Sequence, residues 1–367
     1  MKYLFIDANN LGCRAAFTNK DLRVDFIDYS ADFNPDDILK PSSGFPTGAM
    51  HGFFKMLTSV RNLYPDRYTC IVWDGKSKSR LEESKAAVEK GIVPMAYKES
   101  RHTGNIAEPL ANFHIQRPII MAAVSMTNMP QISKPDEEAD DIIASFVDKL
   151  AGNDVMVLTN DKDYYQLFGD GVKILNAEGM ELDENWFRRI YGIAPKQWVD
   201  VGGLCGDDGD CIWGVPWVGE GTALKEIAKH GTCEAVVAAY EAEFGHLREK
   251  FPDVGDAEFQ LLKSYKTKDE KYKFPYIKKW MPYTGVALAH ESGKAKISRS
   301  ALMTLIYQTR VPLAKSLKGM HRSIPLPNLP VDLGRDMTHD FVALCEKYAL
   351  HSVSASAHRI CGRQVVS

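Results

Sequence analysis

Nine acidic residues fall where an apolar run of the sequence ends or where a helix or turn is predicted to begin. They are Asp7, Asp74, Glu138, Asp140, Asp141, Asp161, Asp163, Asp207 and Asp210. Two carboxylates about 5 Å apart repel each other by roughly 3 kcal/mol at an effective dielectric constant near 20. If these acids converge they require cations, and oxygen ligands without histidine or cysteine indicate Mg²⁺, with Mn²⁺ as a substitute.

Converging acids of this kind suit one reaction in particular. Two divalent ions about 4 Å apart stabilise the attacking and leaving oxygens of an in-line phosphoryl displacement, so phosphodiester hydrolysis is predicted. Simpler explanations exist for single acids. Those in "PDEEADD" favour a first helical turn, and Asp207 and Asp210 suit turns beside glycines. Asp7 and Asp74 are the stronger signal, because a lone acid that ends an apolar strand adds nothing to packing.

The elements that must position these acids can be read from the hydrophobic pattern. Three short apolar runs end in aspartate: "KYLFID" (2–7), "TCIVWD" (69–74) and "DVMVLTND" (154–161). Helical periodicity fills the gaps between them, so we predict an α/β fold with a mostly parallel central sheet flanked by helices. Ligands of such sheets bind beyond the carboxyl ends of the strands. A helix is predicted to begin at Glu138, with Asp141 on the same face and Asp140 off that face.

Composition limits the class of protein. A chain of 367 residues with 45% hydrophobic and 25% charged residues is typical of a soluble globular enzyme with two domains or one large elaborated domain. No apolar run is long enough to span a bilayer, and the N-terminus lacks a signal-peptide pattern. The seven scattered cysteines predict reduced thiols in a cytoplasm. With a net charge of −3, the chain would have to bind nucleic acid through local basic patches.

Taken in order along the chain, these segments resemble the 5′ nuclease family: flap endonucleases, phage 5′–3′ exonucleases and the 5′-nuclease domain of bacterial DNA polymerase I. The matching segments are "FIDANN", "GFPTGAMHGFFKML" (44–57), "VWDG", "YKESR" (97–101), "EADD", "TNDKD" and "GDDGDCIWGVPWVGEGTA" (206–223). They cover about residues 1 to 235. The resemblance implies a PIN-like 5′-nuclease core and a helical DNA-binding region containing a helix-hairpin-helix-like element.

The resemblance also implies roles for single residues. The first metal site would use Asp7, Asp74, Glu138 and Asp140, with Asp141 nearby, and the second Asp161, Asp163, Asp207 and Asp210. Lys98 and Arg101 resemble a basic pair that contacts the scissile phosphate. Cations at that place stabilise the charge that grows in the transition state. A solvated charged helix is the simpler explanation for this pair.

Contacts with DNA are expected from Tyr97, Gly214, Gly219, Gly221 and Thr222. Glycines let backbone amides approach phosphates closely, and the resemblance implies a K⁺ site at the hairpin carbonyls. The family usually has lysine where this chain has Gly221 and asparagine where it has Cys211, so one phosphate contact is missing. The lysine- and aromatic-rich segment 261–280 is expected either to add contacts with DNA or to form a solvated face.

We expect two consecutive domains: residues 1–200 as the α/β nuclease core, with an arch or clamp at about 76–135, and residues 201–367 as the DNA-binding and C-terminal helical region. The charged segment "GKSKSRLEESKAAVEKG" fits an arch and a surface helix equally well. The expected partner is duplex DNA with a 5′ end, flap or nick, in replication, repair or recombination. RNA in RNA–DNA hybrids is left open. A monomer is expected, without a membrane partner, in a bacterial or phage-infected cell.

Three alternatives compete with this interpretation. A PIN-type ribonuclease has a similar acidic site, but such domains are usually short and lack the glycine-rich element at 202–235. A phosphatase of the haloacid dehalogenase type requires Asp-x-Asp after its first strand, and Asn9 nearly excludes it. A non-catalytic structure-specific DNA-binding protein would be expected to lose acids first, and none is lost here. Mg²⁺-dependent cleavage of a 5′-labelled flap discriminates between these possibilities.

Overall fold

A computed structural model of the chain describes residues 1–24, 44–99, 107–169, 171–245, 298–330, 333 and 336–362. The strands are β1 (Lys2–Asp7), β2 (Arg23–Val24), β3 (Phe45–Pro46), β4 (Tyr68–Trp73), β5 (Gln131–Ser133), β6 (Asp154–Leu158), β7 (Val172–Leu175), β8 (Glu181–Leu182), β9 (Gly206–Asp207) and β10 (Ile212–Trp213). None of the helices in these ranges combines the length and the apolar character that crossing a bilayer requires.

The helices are numbered in the same way. They are α1 (Ala8–Thr18), α2 (Gly48–Leu63), α3 (Lys78–Glu89), α4 (Ala107–Ser125), α5 (Ala139–Lys149), α6 (Glu184–Tyr191), α7 (Trp198–Cys205), α8 (Glu220–His230), α9 (Cys233–Phe244), α10 (Arg299–Ile306), α11 (Arg310–Lys318), α12 (Thr338–Lys347), α13 (His351–Ser354) and α14 (Ala357–Cys361). Two short 3₁₀ helices span Lys162–Leu167 and Pro195–Gln197.

The chain divides into two compact units. Unit 1 contains residues 1–77, 102–184 and 321–367, and unit 2 contains residues 78–101 and 185–320. The chain therefore passes between the units several times. The consecutive domains that the sequence suggests, 1–200 and 201–367, stay a prediction, as does the arch at about 76–135.

Unit 1 is built on a six-stranded sheet in the order β5-β4-β1-β6-β7-β8. All neighbouring strands are parallel except β7 and β8, which are antiparallel. The predicted mostly parallel sheet flanked by helices is confirmed. Strand order reverses at β1, because the chain continues to β4 and β5 on one side and later to β6 and β7 on the other. The crevice at such a reversal is where open α/β sheets bind ligands.

Alternation of side chains along the central strand explains why helices cover both faces of the sheet. Leu4 and Ile6 join the main apolar cluster, which α1, α2, α4 and the C-terminal helices α12 to α14 complete. Phe5 points to the opposite face and stacks on Phe146 of α5, with ring centroids 5.1 Å apart. A strand buried on both faces reads as an unbroken apolar run, which is what "YLFI" shows.

Unit 2 is mainly helical in the residues that the structure describes. Helices α7 and α11 pack against each other, and the short antiparallel pair β9–β10 follows α7. Two glycines, Gly202 and Gly203, lie under α11, because a Cβ at either would meet the side chain of Lys318 or Lys315. Helix α8 then begins at Glu220 after the turn at 214–219. The predicted helix-hairpin-helix-like element falls on these residues and stays a prediction.

Candidate functional site

Asp7 ends the central strand β1 and is 93% buried, its exposed fraction being 7%. One carboxylate oxygen accepts a hydrogen bond from the Asn10 amide at 3.0 Å, so Asp7 also caps helix α1. Its other oxygen accepts from the Tyr164 hydroxyl at 3.2 Å and the Thr159 hydroxyl at 3.5 Å. Three hydrogen bonds thus fix a carboxylate that is almost shielded from water.

Asp74 follows strand β4, and its carboxylate accepts a hydrogen bond from the Ala139 amide at 2.8 Å. The next residue, Gly75, donates its amide to the Glu137 carbonyl at 2.8 Å. A Cβ at Gly75 would lie 2.6 and 2.7 Å from the carbonyl oxygens of Pro135 and Glu137. The strand end that carries Asp74 is therefore tied, backbone to backbone, to the segment that begins α5.

The acidic segment at α5 differs from the sequence prediction in its geometry. The helix begins at Ala139, and Glu138 is the N-cap residue, with an extended backbone (φ −87°, ψ 159°). The helix thus begins one residue later than predicted, and the prediction that Glu138 and Asp141 share one face stays a prediction. Asp141 is fully buried, and its carboxylate accepts from the His321 amide at 2.7 Å. Its role as a metal ligand stays a prediction.

Asp161 lies at the exit of strand β6, where the N-cap of the 3₁₀ helix Lys162–Leu167 falls. Its carboxylate accepts a hydrogen bond from the Asp163 amide at 2.8 Å, and its own amide donates to the Thr159 hydroxyl at 3.1 Å. Asp161 is exposed and Asp163 is half-buried. The Asp-x-Asp turn is thus a capping turn, which explains why it follows the strand directly.

Four of the predicted ligands, all in unit 1, lie close enough together for their charges to interact. Burial raises the pKa of Asp7 well above its usual value, and the charges of Asp74, Asp161 and Asp140 raise it further, against the lowering effect of the Asn10 amide. The same four carboxylates act on Tyr164: burial first, and then their charges, raise its pKa well above the usual range, so its hydroxyl remains a donor.

This donor set fits a hard divalent cation, because clustered carboxylate oxygens lower their mutual repulsion by sharing one. Among the described residues, two groups place three ligand atoms within 4.8 Å of one another: Glu137, Asp141 and His321, and Asp200, Cys233 and Glu234. The second of these groups already contacts an ammonium, since Lys315 lies 2.7 Å from Asp200 and 2.9 Å from Glu234. The four converging carboxylates are spaced more widely than this.

The remaining two predicted ligands belong to unit 2. Asp207 in β9 accepts from the Gly209 amide at 2.9 Å and from the Lys318 ammonium at 3.0 Å. Burial opposes ionisation of Asp207, but the Lys318 charge and the hydrogen bonds outweigh it, so the pKa lies below its usual value. The carbonyl of Asp210 accepts from the Lys98 amide at 2.8 Å. Their joint site with Asp161 and Asp163 stays a prediction.

Lys98 has a left-handed backbone with φ of 57°, a conformation that costs a residue with a side chain about 1–3 kcal/mol. Its ammonium lies 4.7 Å from the centroid of the Tyr97 ring. Tyr97 itself packs into an apolar cluster with Ile212, Ala314 and Leu317 and is only 7% exposed. Tyr97 thus supports Lys98, and its predicted contact with DNA stays a prediction. Arg101 lies outside the described residues.

The glycines of the predicted DNA-binding element are not alike. Gly214 is enclosed by backbone, because a Cβ there would lie 2.6 Å from the Leu204 carbonyl and closer still to Gly206. Gly219 and Gly221 have open space around them and are exposed. Thr222 is half-buried in the first turn of α8. Close backbone packing therefore explains why position 214 is a glycine. At Gly219 and Gly221 a ligand can approach the backbone. Segment 261–280 lies outside the described residues.

Sequence reasoning missed several side chains that position the acids. Tyr164 stands in the quoted run "DKDYYQL", but a buried tyrosine looks the same as any core aromatic in a sequence. Arg117 of α4 donates to the backbone carbonyl of Asp74 at 2.7 Å and lies over the Trp73 ring at 5.6 Å. Lys318 reaches Asp207 across 111 residues of sequence. Among these positioning residues, only Gly75 of "VWDG" could have been recognised from the sequence, because it directly follows an acid at a strand end.

The family model for the 5′-3′ exonuclease N-terminal resolvase-like domain matches residues 2–192. The chain belongs to the 5′-3′ exonuclease family. It is 31% identical over 237 residues to a thermostable DNA polymerase I of Thermus thermophilus, an alignment that covers 64% of this chain and 24% of the polymerase. It is 29% identical over 231 residues to a 5′-3′ exonuclease of Aquifex aeolicus, covering 62% of this chain and 73% of the relative.

Solved structures of 5′-3′ exonuclease and flap nuclease type share this fold at low sequence identity. A bacteriophage T5 flap endonuclease in a pseudo-enzyme-product complex with DNA and metal ions superposes with a TM-score of 0.53 at 15% identity, over 98% of this chain and 99% of that one. The catalytic core of Rad2 in complex with DNA substrate gives 0.51 at 14% identity, over 97% and 92%. The predicted family and fold are confirmed. The chain spans about a quarter of the polymerase relatives, 24% of the first.

None of the seven cysteines, all of which lie in described residues, forms a disulfide. Five of them are buried, and burial raises the pKa of Cys205 and Cys361 to about 11. The thiols of Cys205 and Cys361 are therefore protonated near neutral pH.

Proposed function

We propose that this chain is a divalent-metal-dependent 5′ nuclease that hydrolyses phosphodiester bonds of DNA by a two-metal-ion mechanism. The observation that carries the proposal is the convergence of Asp7, Asp74, Asp140 and Asp161 at the strand-order reversal of a parallel sheet. Membership of the 5′-3′ exonuclease family supports it. The like charges of these acids oppose one another's ionisation, and a bound cation would relieve that repulsion.

The proposed roles of the residues are carried over from the family resemblance. Asp7, Asp74, Glu138 and Asp140 would hold the first ion, and Asp161, Asp163, Asp207 and Asp210 the second. Bound Mg²⁺ would supply Lewis-acid stabilisation of the attacking and leaving oxygens and would lower the pKa of a coordinated water. Tyr164 and Thr159 orient Asp7 by donating to the same oxygen. Lys98 and Arg101 would stabilise negative charge on the phosphoryl group as it develops.

The proposed substrate is DNA with a 5′ end next to duplex, and the process is replication, repair or recombination. The T5 and Rad2 structures, which contain DNA, support this choice by analogy of fold. Exposed Gly219 and Gly221 at the start of α8 offer approachable backbone for a phosphate. A K⁺ ion at the hairpin carbonyls is part of the proposal, as the resemblance implies. The Glu137, Asp141 and His321 group is not needed for it.

The test of this function compares four 5′-labelled DNA substrates at fixed salt: a 5′ flap, a nicked duplex, a blunt duplex and a plain single strand. Each is incubated with the protein in Mg²⁺, in Mn²⁺ and in a chelator. We expect cleavage from or near the 5′ end with Mg²⁺ or Mn²⁺, none with the chelator, and higher rates when duplex adjoins the 5′ end.

The pattern of rates separates the competing functions. Preference for the flap indicates a flap endonuclease, whereas preference for nicked or blunt ends indicates a 5′–3′ exonuclease. Equal rates on all four substrates contradict the anchoring of duplex DNA. Cleavage of matched RNA alone would indicate a ribonuclease of PIN type. Tight binding of the flap without cleavage in any metal would instead indicate a non-catalytic structure-specific DNA-binding protein.

A further inference from the structure

Lys318 ends helix α11, and its ammonium contacts the carboxylate of Asp207, a predicted metal ligand. Its side chain is 9% exposed, and the nitrogen lies 3.0 Å from Oδ2 of Asp207. The other carboxylate oxygen, Oδ1, accepts from the Gly209 amide at 2.9 Å. Both oxygens of Asp207 are therefore engaged by donors of the chain itself, and the carboxylate has a fixed orientation.

The route that Lys318 takes to Asp207 is built into the packing of two helices. Its aliphatic stem crosses α7 at Gly202, where a Cβ would lie 2.8 Å from Cγ and 3.3 Å from Cε of the lysine. Any side chain at position 202 would push the stem away. The adjoining residue, Gly319, accepts from Arg80 through its carbonyl at 2.9 Å, which holds the end of α11 in place. Lys318 is thus a constrained, mostly buried cation.

Electrostatics explains what such a cation does to a neighbouring metal site. Asp207 is half-buried, its side chain being 38% exposed, and the mostly buried Lys318 already supplies it with a positive charge. A divalent ion that approaches the same carboxylate meets this ammonium at close range. The two positive charges repel each other, and the repulsion is stronger near buried groups than in bulk water. The ion must bind against that repulsion or displace the lysine.

We propose that Lys318 is the resident counter-cation of Asp207 and weakens the binding of a divalent ion there, so that the ion at Asp207 is the more loosely held of two. This inference rests on the proposed function, in which Asp207 is a ligand of the second ion. Lys318 is accordingly a positioning residue for that site. Together with the Gly209 amide, it fixes the orientation of the Asp207 carboxylate.

The test measures Ca²⁺ binding to the purified full chain by isothermal titration calorimetry, without DNA. Wild type is compared with D207N, K318M and K318Q, the last of which keeps a hydrogen-bond donor but removes the charge. We expect D207N to weaken or remove the weaker of two Ca²⁺ ions. We expect K318M and K318Q to tighten that ion about tenfold, since a nearby positive charge is gone. The tighter ion should be unchanged in both lysine variants.

The chain provides a matched control one turn earlier on the same helix. Lys315 packs over Gly203 as Lys318 packs over Gly202, but its ammonium lies between Asp200 and Glu234 at 2.7 and 2.9 Å. K315M should therefore leave both Ca²⁺ affinities as in wild type. K318R, which keeps the charge, should also match wild type, and the double variant D207N/K318Q should show no tightening.

The outcomes distinguish this inference from the proposed function. Unchanged or weaker Ca²⁺ affinity in both K318M and K318Q, with D207N still weakening the ion, overturns the counter-cation inference alone. If D207N binds both ions as wild type does, Asp207 is not a ligand, and the inference and the second metal site both fail. Thermal unfolding of each variant shows that a change in affinity does not come from loss of the fold, and K318Q replaces K318M if the latter does not fold.

Discussion

At the scale of single residues, Lys98 illustrates how the chain fixes a cation before any substrate arrives. Its backbone is held in the left-handed region by a hydrogen bond from its amide to the Asp210 carbonyl at 2.8 Å. The buried Tyr97 ring lies beneath the ammonium at 4.7 Å. Local strain that the surroundings maintain in this way is characteristic of functional positions. A preorganised cation needs little reorganisation when negative charge develops on a phosphoryl group.

Replacing Lys98 with alanine should act on turnover more than on binding of DNA. We expect the single-turnover rate on a 5′ flap to fall about a hundredfold, by analogy with the loss of one preorganised donor of an oxyanion site. The dissociation constant for DNA, measured with Ca²⁺, should change only a few-fold. Lys85, an exposed lysine of α3 in the same unit, provides the matched control, and K85A should cleave as wild type does. An unchanged rate in K98A would refute the role of Lys98.

At the scale of elements, the junction between β4 and α5 determines where two predicted ligands lie. The Gly75 amide donates to the Glu137 carbonyl, the Lys76 amide donates to the Pro135 carbonyl, and the Ala139 amide donates to Asp74. The strand end and the helix start thus form one backbone-bonded unit. Asp74 and Glu138 are positioned by these bonds and not by flexible side chains reaching across a gap.

The substitution G75A should disrupt this junction. A Cβ would press against backbone carbonyls of residues 134, 135 and 137, which cannot move like the end of a side chain. We expect the free energy of unfolding to fall by about 1–3 kcal/mol, as for other overpacked sites, with a loss of Mg²⁺-dependent cleavage. Gly169 is the control, because a Cβ there meets nothing within 4 Å. Denaturant unfolding in which G75A and G169A are equally stable would contradict the account.

The start of α8 permits a test in the opposite direction, a gain of DNA binding. Gly221 is exposed in the first turn of the helix with open space around it, so a lysine fits without a clash. Relative to glycine, G221K should gain helix propensity, but by less than the roughly 0.5–1 kcal/mol of a helix interior, because the dipole disfavours a cation in the first turn. It should also add one phosphate contact, which steepens the salt dependence of duplex binding by about one.

Alanine at the same position separates these two effects. G221A should gain the helical stability but not the affinity for DNA, because it carries no charge. Fluorescence anisotropy with a labelled flap at several salt concentrations, in Ca²⁺ to prevent cleavage, gives the affinity for DNA and its salt dependence for each variant. Equal DNA affinity for G221K and G221A would show that this helix start does not face a phosphate backbone.

At the scale of the whole molecule, a net charge of −3 means that the chain must bind DNA through local patches of basic residues. Affinity for duplex DNA should therefore fall linearly with salt on logarithmic axes, with a slope of about −0.9 for each phosphate that a lysine or arginine neutralises. Anisotropy titrations of wild type between low and moderate salt measure that slope. Affinity that does not depend on salt would indicate that backbone phosphates are not the main contact.

The central features of the fold could be predicted from the sequence because they are local. Apolar runs that end in acids gave the strands β1, β4 and β6 and the edge where Asp7, Asp74 and Asp161 lie. The capping arrangement at α5 could not be predicted, because spacing in an ideal helix assigns Glu138 and Asp141 to one face. The structure starts that helix one residue later and turns Asp141 toward His321.

Contacts between distant parts of the chain account for the rest of what the sequence did not reveal. Lys318 and Asp207 are 111 residues apart, and Tyr164 and Asp7 are 157 apart. Hydrophobic periodicity carries no information about such pairs, because they depend on how helices pack and on where a glycine leaves room. The sequence therefore indicated the acids themselves, and the structure was needed to show what holds each of them.

The central claim, that these acids hold the metal of a 5′ nuclease, is tested most directly by single-turnover cleavage of a 5′-labelled flap across a Mg²⁺ titration. Wild type is compared with D74N, with D161N and with D66N, which removes an exposed acid that pairs with Lys2 at the surface. We predict that D74N and D161N lose Mg²⁺-dependent cleavage by at least about a thousandfold while still binding the flap, and that D66N matches wild type. Near-normal cleavage by either D74N or D161N would contradict the claim.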